Sequence, residues 1–291
     1  MKESSIRPTI RRSIRVTRRA VQVGTFLAFV LIPLLNNYDM RALTGNMVAF
    51  NAAGVPLADP LAMLQAAVGS FSVTAVMITG AGLVLLAAAL LGPAFCGWLC
   101  PFGLLSELVQ CLRNKKSGVS GSAKSSGAVF FRPVLLKSGL VAAGLLLILT
   151  ALPLPVLTQL SMPAWITRFW QHAILLREIL WPALWLVPAV LLAEFVLGGR
   201  FWCRYLCPQS LLISLAGLAG LALPKRLQVR FTPKACNCPA SDRACLAACS
   251  LNLNPRKPVA AQMAQCVNCG DCVEACKKRG RALGFKFSAK D

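Results

Sequence analysis

The chain has 291 residues, of which 56% are hydrophobic and 14% charged. An average soluble protein carries about 25% charged residues, so this composition argues against an ordinary soluble enzyme and points to an integral membrane protein. The net charge is +21, but the basic residues flank apolar runs, which favours orientation in a bilayer over nucleic-acid binding.

In chain order, residues 1–19 form a basic N-terminal segment. The first apolar run lacks a convincing small-residue cleavage site and further apolar runs follow, so this segment is expected to be retained rather than removed as a secretory signal. Four apolar stretches, at 20–35, 73–91, 139–157 and 179–197, approach the roughly 20 residues a membrane helix needs. A fifth, 211–223, is shorter and is expected to be interfacial or re-entrant. With four spans, all of the 31 Lys and Arg residues except Arg41, Arg168 and Arg177 fall on one side. That asymmetry predicts both termini in the cytoplasm, and an inner-membrane, multi-pass protein. The expected organisation is a first two-span repeat at 20–112, a Gly/Ser-rich basic linker at 113–133, a second two-span repeat at 134–223 and an iron–sulfur domain at 224–291.

The repeat rests on two elements. Phe95-Cys96-Gly97-Trp98-Leu99-Cys100-Pro101 and Trp202-Cys203-Arg204-Tyr205-Leu206-Cys207-Pro208 both read aromatic-C-x-aromatic-L-C-P. They stand 107 residues apart, each after an apolar stretch. Cysteines at i and i+4 share a face of a helical turn. The four thiols of Cys96, Cys100, Cys203 and Cys207 are therefore candidates for a joint metal site or for dithiol–disulfide cycling. The plain alternative is small residues packing at helix ends. Cys111 has no counterpart in the repeat and is expected to pack.

All 13 cysteines fall on the predicted cytoplasmic side, where structural disulfides are disfavoured, so metal or redox chemistry leads. The tail carries Cys266-Val-Asn-Cys269-Gly-Asp-Cys272-Val-Glu-Ala-Cys276, the C-x2-C-x2-C-x3-C spacing of a bacterial ferredoxin loop. A zinc knuckle is the competing reading. In two-cluster ferredoxins the fourth cysteine serves the other cluster, which requires a second motif upstream. Cys236, Cys238, Cys245 and Cys249 supply four thiols with a regular C-x3-C close and an irregular opening. Crossed ligation predicts one [4Fe–4S] cluster on Cys236, Cys238, Cys245 and Cys276, and another on Cys249, Cys266, Cys269 and Cys272. If the first motif has decayed, one cluster or a three-iron form remains.

His172 is the only histidine, so bis-histidine haem ligation within one chain is excluded and no haem is expected. It is a candidate proton acceptor or a structural residue of the outer loop. Glu194, inside the fourth apolar stretch, is a functional candidate by its depth; pairing near the inner face is the alternative.

Four spans, two C-x3-C-P elements and a C-terminal pair of ferredoxin motifs resemble the NapH/MauN-type membrane ferredoxins. The similarity extends to the outer segment Gly54-Val55-Pro56-Leu57-Ala58-Asp59-Pro60-Leu61. The resemblance implies quinol oxidation feeding electrons through iron–sulfur clusters to a partner iron–sulfur protein or c-type cytochrome. The setting would be periplasmic nitrate reduction or methylamine utilisation. It implies Cys245, Cys249, Cys266, Cys269, Cys272 and Cys276 as ligands, with Cys236 and Cys238 less regular. The irregular first motif leans toward the methylamine type. The expected fold is a polytopic α-helical membrane protein, four helices in two parallel repeats, with a two-[4Fe–4S] ferredoxin-like C-terminal domain. An accessory redox protein for maturation of a periplasmic enzyme, or a membrane iron–sulfur regulator, is the alternative role.

Overall fold

The computed structural model describes residues 14–37, 43–69, 73–116, 144, 156–197, 200–223, 225–238, 244–251, 253–256, 260–277 and 280–288. The predicted span 139–157 and the 113–133 linker lie almost wholly outside these residues, as do residues 1–13.

The first half opens with α1 (Ile14–Asn37). Among the described residues, it is the one helix whose length and composition suffice to cross a membrane, over Ile14–Leu35. Strands β1 (Leu43–Gly45), β2 (Ala49–Ala52) and β3 (Val55–Ala58) follow as an antiparallel meander, with Leu43 opposite Ala52 and Ala49 opposite Ala58. Next come α2 (Pro60–Gly69) and α3 (Ala75–Leu91). Thr74 caps α3 by accepting a hydrogen bond from the Met77 N–H, satisfying one of the donors a helix start leaves open. Strand β3 lies against α3 at Gly80, where a Cβ would stand 2.8 Å from the Ala58 nitrogen.

The chain then turns through α4 (Ala94–Trp98) into α5 (Pro101–Lys116). Among the described residues, the second half repeats the later part of this order, an apolar helix, a turn and a return helix. Helix α6 (Met162–Gln171) runs into a π-helical segment, His172–Leu176, and α7 (Trp181–Leu197) is the counterpart of α3. A π-helical turn, Trp202–Leu206, leads into α8 (Pro208–Ala219). The apolar helices α3 and α7 have 17 residues each.

Both halves turn at the C-x3-C-P element in the same way. The Cys100 N–H donates to the Phe95 carbonyl (3.1 Å), and the Cys207 N–H to the Trp202 carbonyl (2.9 Å). Proline then opens the next helix, where its missing N–H costs nothing, and it drives the preceding cysteine out of helical geometry. Cys207 accordingly has φ −67° and ψ 112°. This corrects the expectation that each cysteine pair shares a face of one regular helical turn. Helix α4 ends at Trp98, and Cys100 lies beyond it.

After the turn, each helix lies along the apolar helix of the other half. Helix α5 packs on α7, with Ser106 meeting Glu194. Helix α8 packs on α3, and Gly220 at its end abuts the Ala89 backbone. Phe102 shares a buried cluster with Cys100, Met162, Ile166, Val187 and Val190. Val187 precedes the end of α7 by ten residues, roughly 15 Å of helix. Cys100 is buried in the helical body, with Cys207 and Arg200, beyond the end of α7, as its neighbours. The predicted 211–223 run is α8 and its 3-10 end, Gly220–Ala222.

In the tail, β4 (Arg226–Phe231) pairs antiparallel with β5 (Leu283–Ser288), bringing residue 226 opposite 288. Between them lie α9 (Ala244–Ala247), α10 (Ala260–Gln265) and α11 (Asp271–Lys277). The ribbon thus closes the tail around its cysteine loops.

Candidate functional site

The eight tail cysteines divide into two neighbourhoods. Cys249, Cys266, Cys269 and Cys272 all line one cavity of about 50 Å³, with Leu251, Leu253 and Val267. Three of these come from the regular loop; Cys249 comes from the upstream motif. Cys276, the last residue of the regular loop, stands instead with Cys245 and Cys238. Cys236 joins Cys238 and takes a hydrogen bond from Arg256 Nη2 to its Sγ (2.7 Å). Helix α11 produces this split. Its Cys272 and Cys276, one turn apart, are both buried, and each contributes to a different neighbourhood.

Burial dominates the electrostatics of the first set. It pushes the Cys269 thiol up to about 12, reinforced by Asp271 nearby. Cys272 is pushed up further, first by burial and then by Cys269, Cys266 and Cys249. Cys249 and Cys266 rise for the same leading reason. Buried thiolates without a counter-charge are costly, whereas a metal centre supplies that charge and deprotonates its thiols. At Cys236 the sign reverses. The backbone N–H of Cys238 and the Arg256 guanidinium lower its pKa. Among the described residues, no three His, Cys, Asp or Glu side chains converge tightly enough to hold a single metal ion. Four thiols around a shared cavity suit a cluster body better than a zinc knuckle.

The tail docks on the helical body through the same loop. Asn268, at φ +48°, donates from Nδ2 to the carbonyls of Leu91 (2.7 Å) and Leu227 (3.2 Å). Trp98 Nε1 donates to the Asn268 carbonyl (3.0 Å), and Arg204 Nη1 to that of Leu251 (2.7 Å). Gly97 permits this approach, since a Cβ there would stand 2.6 Å from the Val267 carbonyl oxygen.

The C-x3-C-P thiols also gather. Cys203 has Cys207, Cys100, Arg200 and Glu194 as its electrostatic neighbours. Cys96 and Cys203 line a second cavity of about 20 Å³ with Arg200, Leu251 and Val267. Glu194 is 1% exposed. It accepts from Ser106 Oγ (2.5 Å) and from the Trp202 N–H (3.2 Å), a pairing role that holds α5 and the second element to α7. His172 is half-buried in the π-helical segment, and Cys111 is exposed on α5.

Sequence reasoning missed a buried charge network. Glu107 bridges Arg18 Nη2 (2.9 Å) and Arg200. Arg18 also reaches Asp271 (3.3 Å), as does the more exposed Arg15 (3.3 Å). The network ties α1, α5, the second C-x3-C-P element and α11 together. Asp59 was also missed as a single residue. It is buried at the start of α2, accepts from the Leu61 N–H (3.0 Å), and is pushed up by burial to about 6.

Comparison with known proteins fits this arrangement. A family described as a 4Fe-4S binding domain matches residues 73–120 and 179–226. Each match contains one C-x3-C-P element, and neither reaches the tail motifs. The two matches support two [4Fe–4S] clusters, and the chain is an iron–sulfur electron-transfer protein. It is 27% identical to ferredoxin-type protein NapH of Haemophilus influenzae, over 94% of this chain and 88% of that one. It is 28% identical to the methylamine utilization ferredoxin-type protein MauN of Methylorubrum extorquens, over 70% of this chain and 66% of that one. A shorter similarity, 35% over 46% of this chain and 18% of the other, links it to protein NirI of Paracoccus denitrificans. These similarities support the NapH/MauN family of ferredoxin-type proteins for this chain. No solved structure matches it.

Proposed function

We propose that the chain is a multi-pass inner-membrane protein that passes electrons from quinol to two tail clusters and on to a partner iron–sulfur protein or c-type cytochrome. Cys236, Cys238, Cys245 and Cys276 hold one cluster; Cys249, Cys266, Cys269 and Cys272 hold the other. The division of eight thiols into two sets of four carries this reading. The clusters, when bound, supply one-electron storage. Oxidation of a quinol releases two electrons and two protons, which two one-electron centres match.

The chain's own residues position this chemistry. Arg256 donates to the Cys236 sulfur, and the Leu253 N–H to that of Cys249 (3.3 Å); such donors favour the thiolate form. Asn268 and Trp98 hold the second set against the helical body.

Exposed apolar side chains support embedding in lipid. Val76, Ile78 and Leu86 of α3, and Trp185, Leu192 and Val196 of α7, are each more than half exposed. Soluble monomers rarely present such continuous apolar faces. The charge asymmetry supports both termini in the cytoplasm.

The test is anaerobic addition of a quinol to the purified protein in lipid nanodiscs. Bleaching of the visible iron–sulfur absorption is expected. If dithionite reduces the clusters but quinol does not, quinol is not the donor and the accessory role takes over.

A further inference from the structure

Neither matched half holds enough cysteines for a four-thiolate centre. Residues 73–120 contain Cys96, Cys100 and the exposed Cys111; residues 179–226 contain Cys203 and Cys207. The fold, however, exchanges helices between halves, α5 onto α7 and α8 onto α3. That exchange brings the two turns face to face. We propose that Cys96, Cys100, Cys203 and Cys207, two from each half, jointly hold one further iron–sulfur centre, distinct from the two tail clusters.

Three observations carry this. First, the thiols converge across the repeat. Cys100 and Cys207 are electrostatic neighbours, and both are neighbours of Cys203. Cys96 closes the set by lining the same cavity as Cys203.

Second, buried donors surround them. Arg200 is 3% exposed and lines that cavity, yet its Nε has no acceptor among the described residues. Trp202 Nε1 and Arg204 Nε are buried atoms that also have no acceptor among the described residues, and Arg204 lines the same cavity. An orphaned buried N–H is costly, and cluster sulfurs are acceptors that would satisfy it. The guanidinium also offsets the negative charge of a thiolate-ligated centre.

Third, the site adjoins the tail. Leu251 and Val267 line both cavities, so they form the wall between this site and the set Cys249, Cys266, Cys269 and Cys272. Cys100 and Cys207 are themselves buried, at 5% and 6% exposure. Zinc is the rival occupant for four thiolates.

The inference stands whether or not quinol is the donor. The test is metal and acid-labile sulfide content, with Mössbauer spectra of ⁵⁷Fe-labelled, anaerobically purified full-length protein. Two tail cubanes account for about eight irons. The wild type is expected to hold about ten to twelve, for a two-iron or four-iron third centre. In Cys100→Ser/Cys207→Ser the content should fall to about eight, with the tail signals unchanged. Those unchanged signals show that the variant has folded. If they are lost, Cys203→Ser alone is read the same way. Cys111→Ser should keep the wild-type content. A wild-type content of about eight irons that the double substitution leaves alone, or one zinc per chain lost on that substitution, overturns the proposal.

Discussion

Glu107→Ala is expected to destabilise the protein by about 3–5 kcal/mol, the usual cost of removing one partner from a buried ion pair. Among the described residues, Glu107 links two guanidiniums whose side chains are 2% and 1% exposed, Arg18 and Arg200. Among the described residues, removing it leaves Arg200 a long contact to the Gly103 carbonyl (3.4 Å). Arg18 keeps Asp271 at 3.3 Å, so the loss should fall hardest on the Arg200 side. Glu107→Gln preserves an acceptor and should cost less. Thermal unfolding, followed both by far-UV signal and by bleaching of the cluster absorption, measures the effect. A wild-type midpoint in Glu107→Ala would show that the network contributes little.

Cys272→Ser should remove one cluster and leave the other. Cys272 is buried on α11, and it is surrounded by Cys269, Cys266 and Cys249. Serine is a poor substitute because its hydroxyl is far harder to deprotonate in a site where burial already raises the thiols. Iron content should fall by about four per chain. Visible absorption should drop without vanishing, because Cys236, Cys238, Cys245 and Cys276 do not depend on Cys272. An unchanged spectrum would reject Cys272 as a ligand.

Much of the chemistry was legible in residue spacing. The Cys266–Cys276 loop and its upstream partner are local patterns, and the neighbourhood of Cys249 with Cys266, Cys269 and Cys272 follows from the alternation of two motifs. The 107-residue repeat was equally visible. What spacing did not convey was direction. The C-P dipeptide announces that a helix ends, but not that α5 returns along α7, because that choice depends on contacts between distant halves. The helical-face argument for Cys96 and Cys100 failed for a local reason: the proline that ends the motif removes the second cysteine from the turn.

Charges misled in a different way. Arg18 and Arg200 were weighed as topology signals, yet both are buried against Glu107, 89 and 93 residues away. No local pattern links residues so far apart. Glu194, flagged by its depth alone, found its partners in Ser106 and Trp202; the serine lies in the other half, where no periodicity points.

The interleaving of two clusters is tested most directly by comparing electron paramagnetic resonance spectra of reduced Cys272→Ser and Cys276→Ser proteins. These cysteines are one helical turn apart in the same motif, but they are assigned here to different clusters. The two substitutions should abolish two different signals, each sparing the one that the other removes. Loss of the same signal in both would place Cys272 and Cys276 on one cluster and contradict the crossed arrangement.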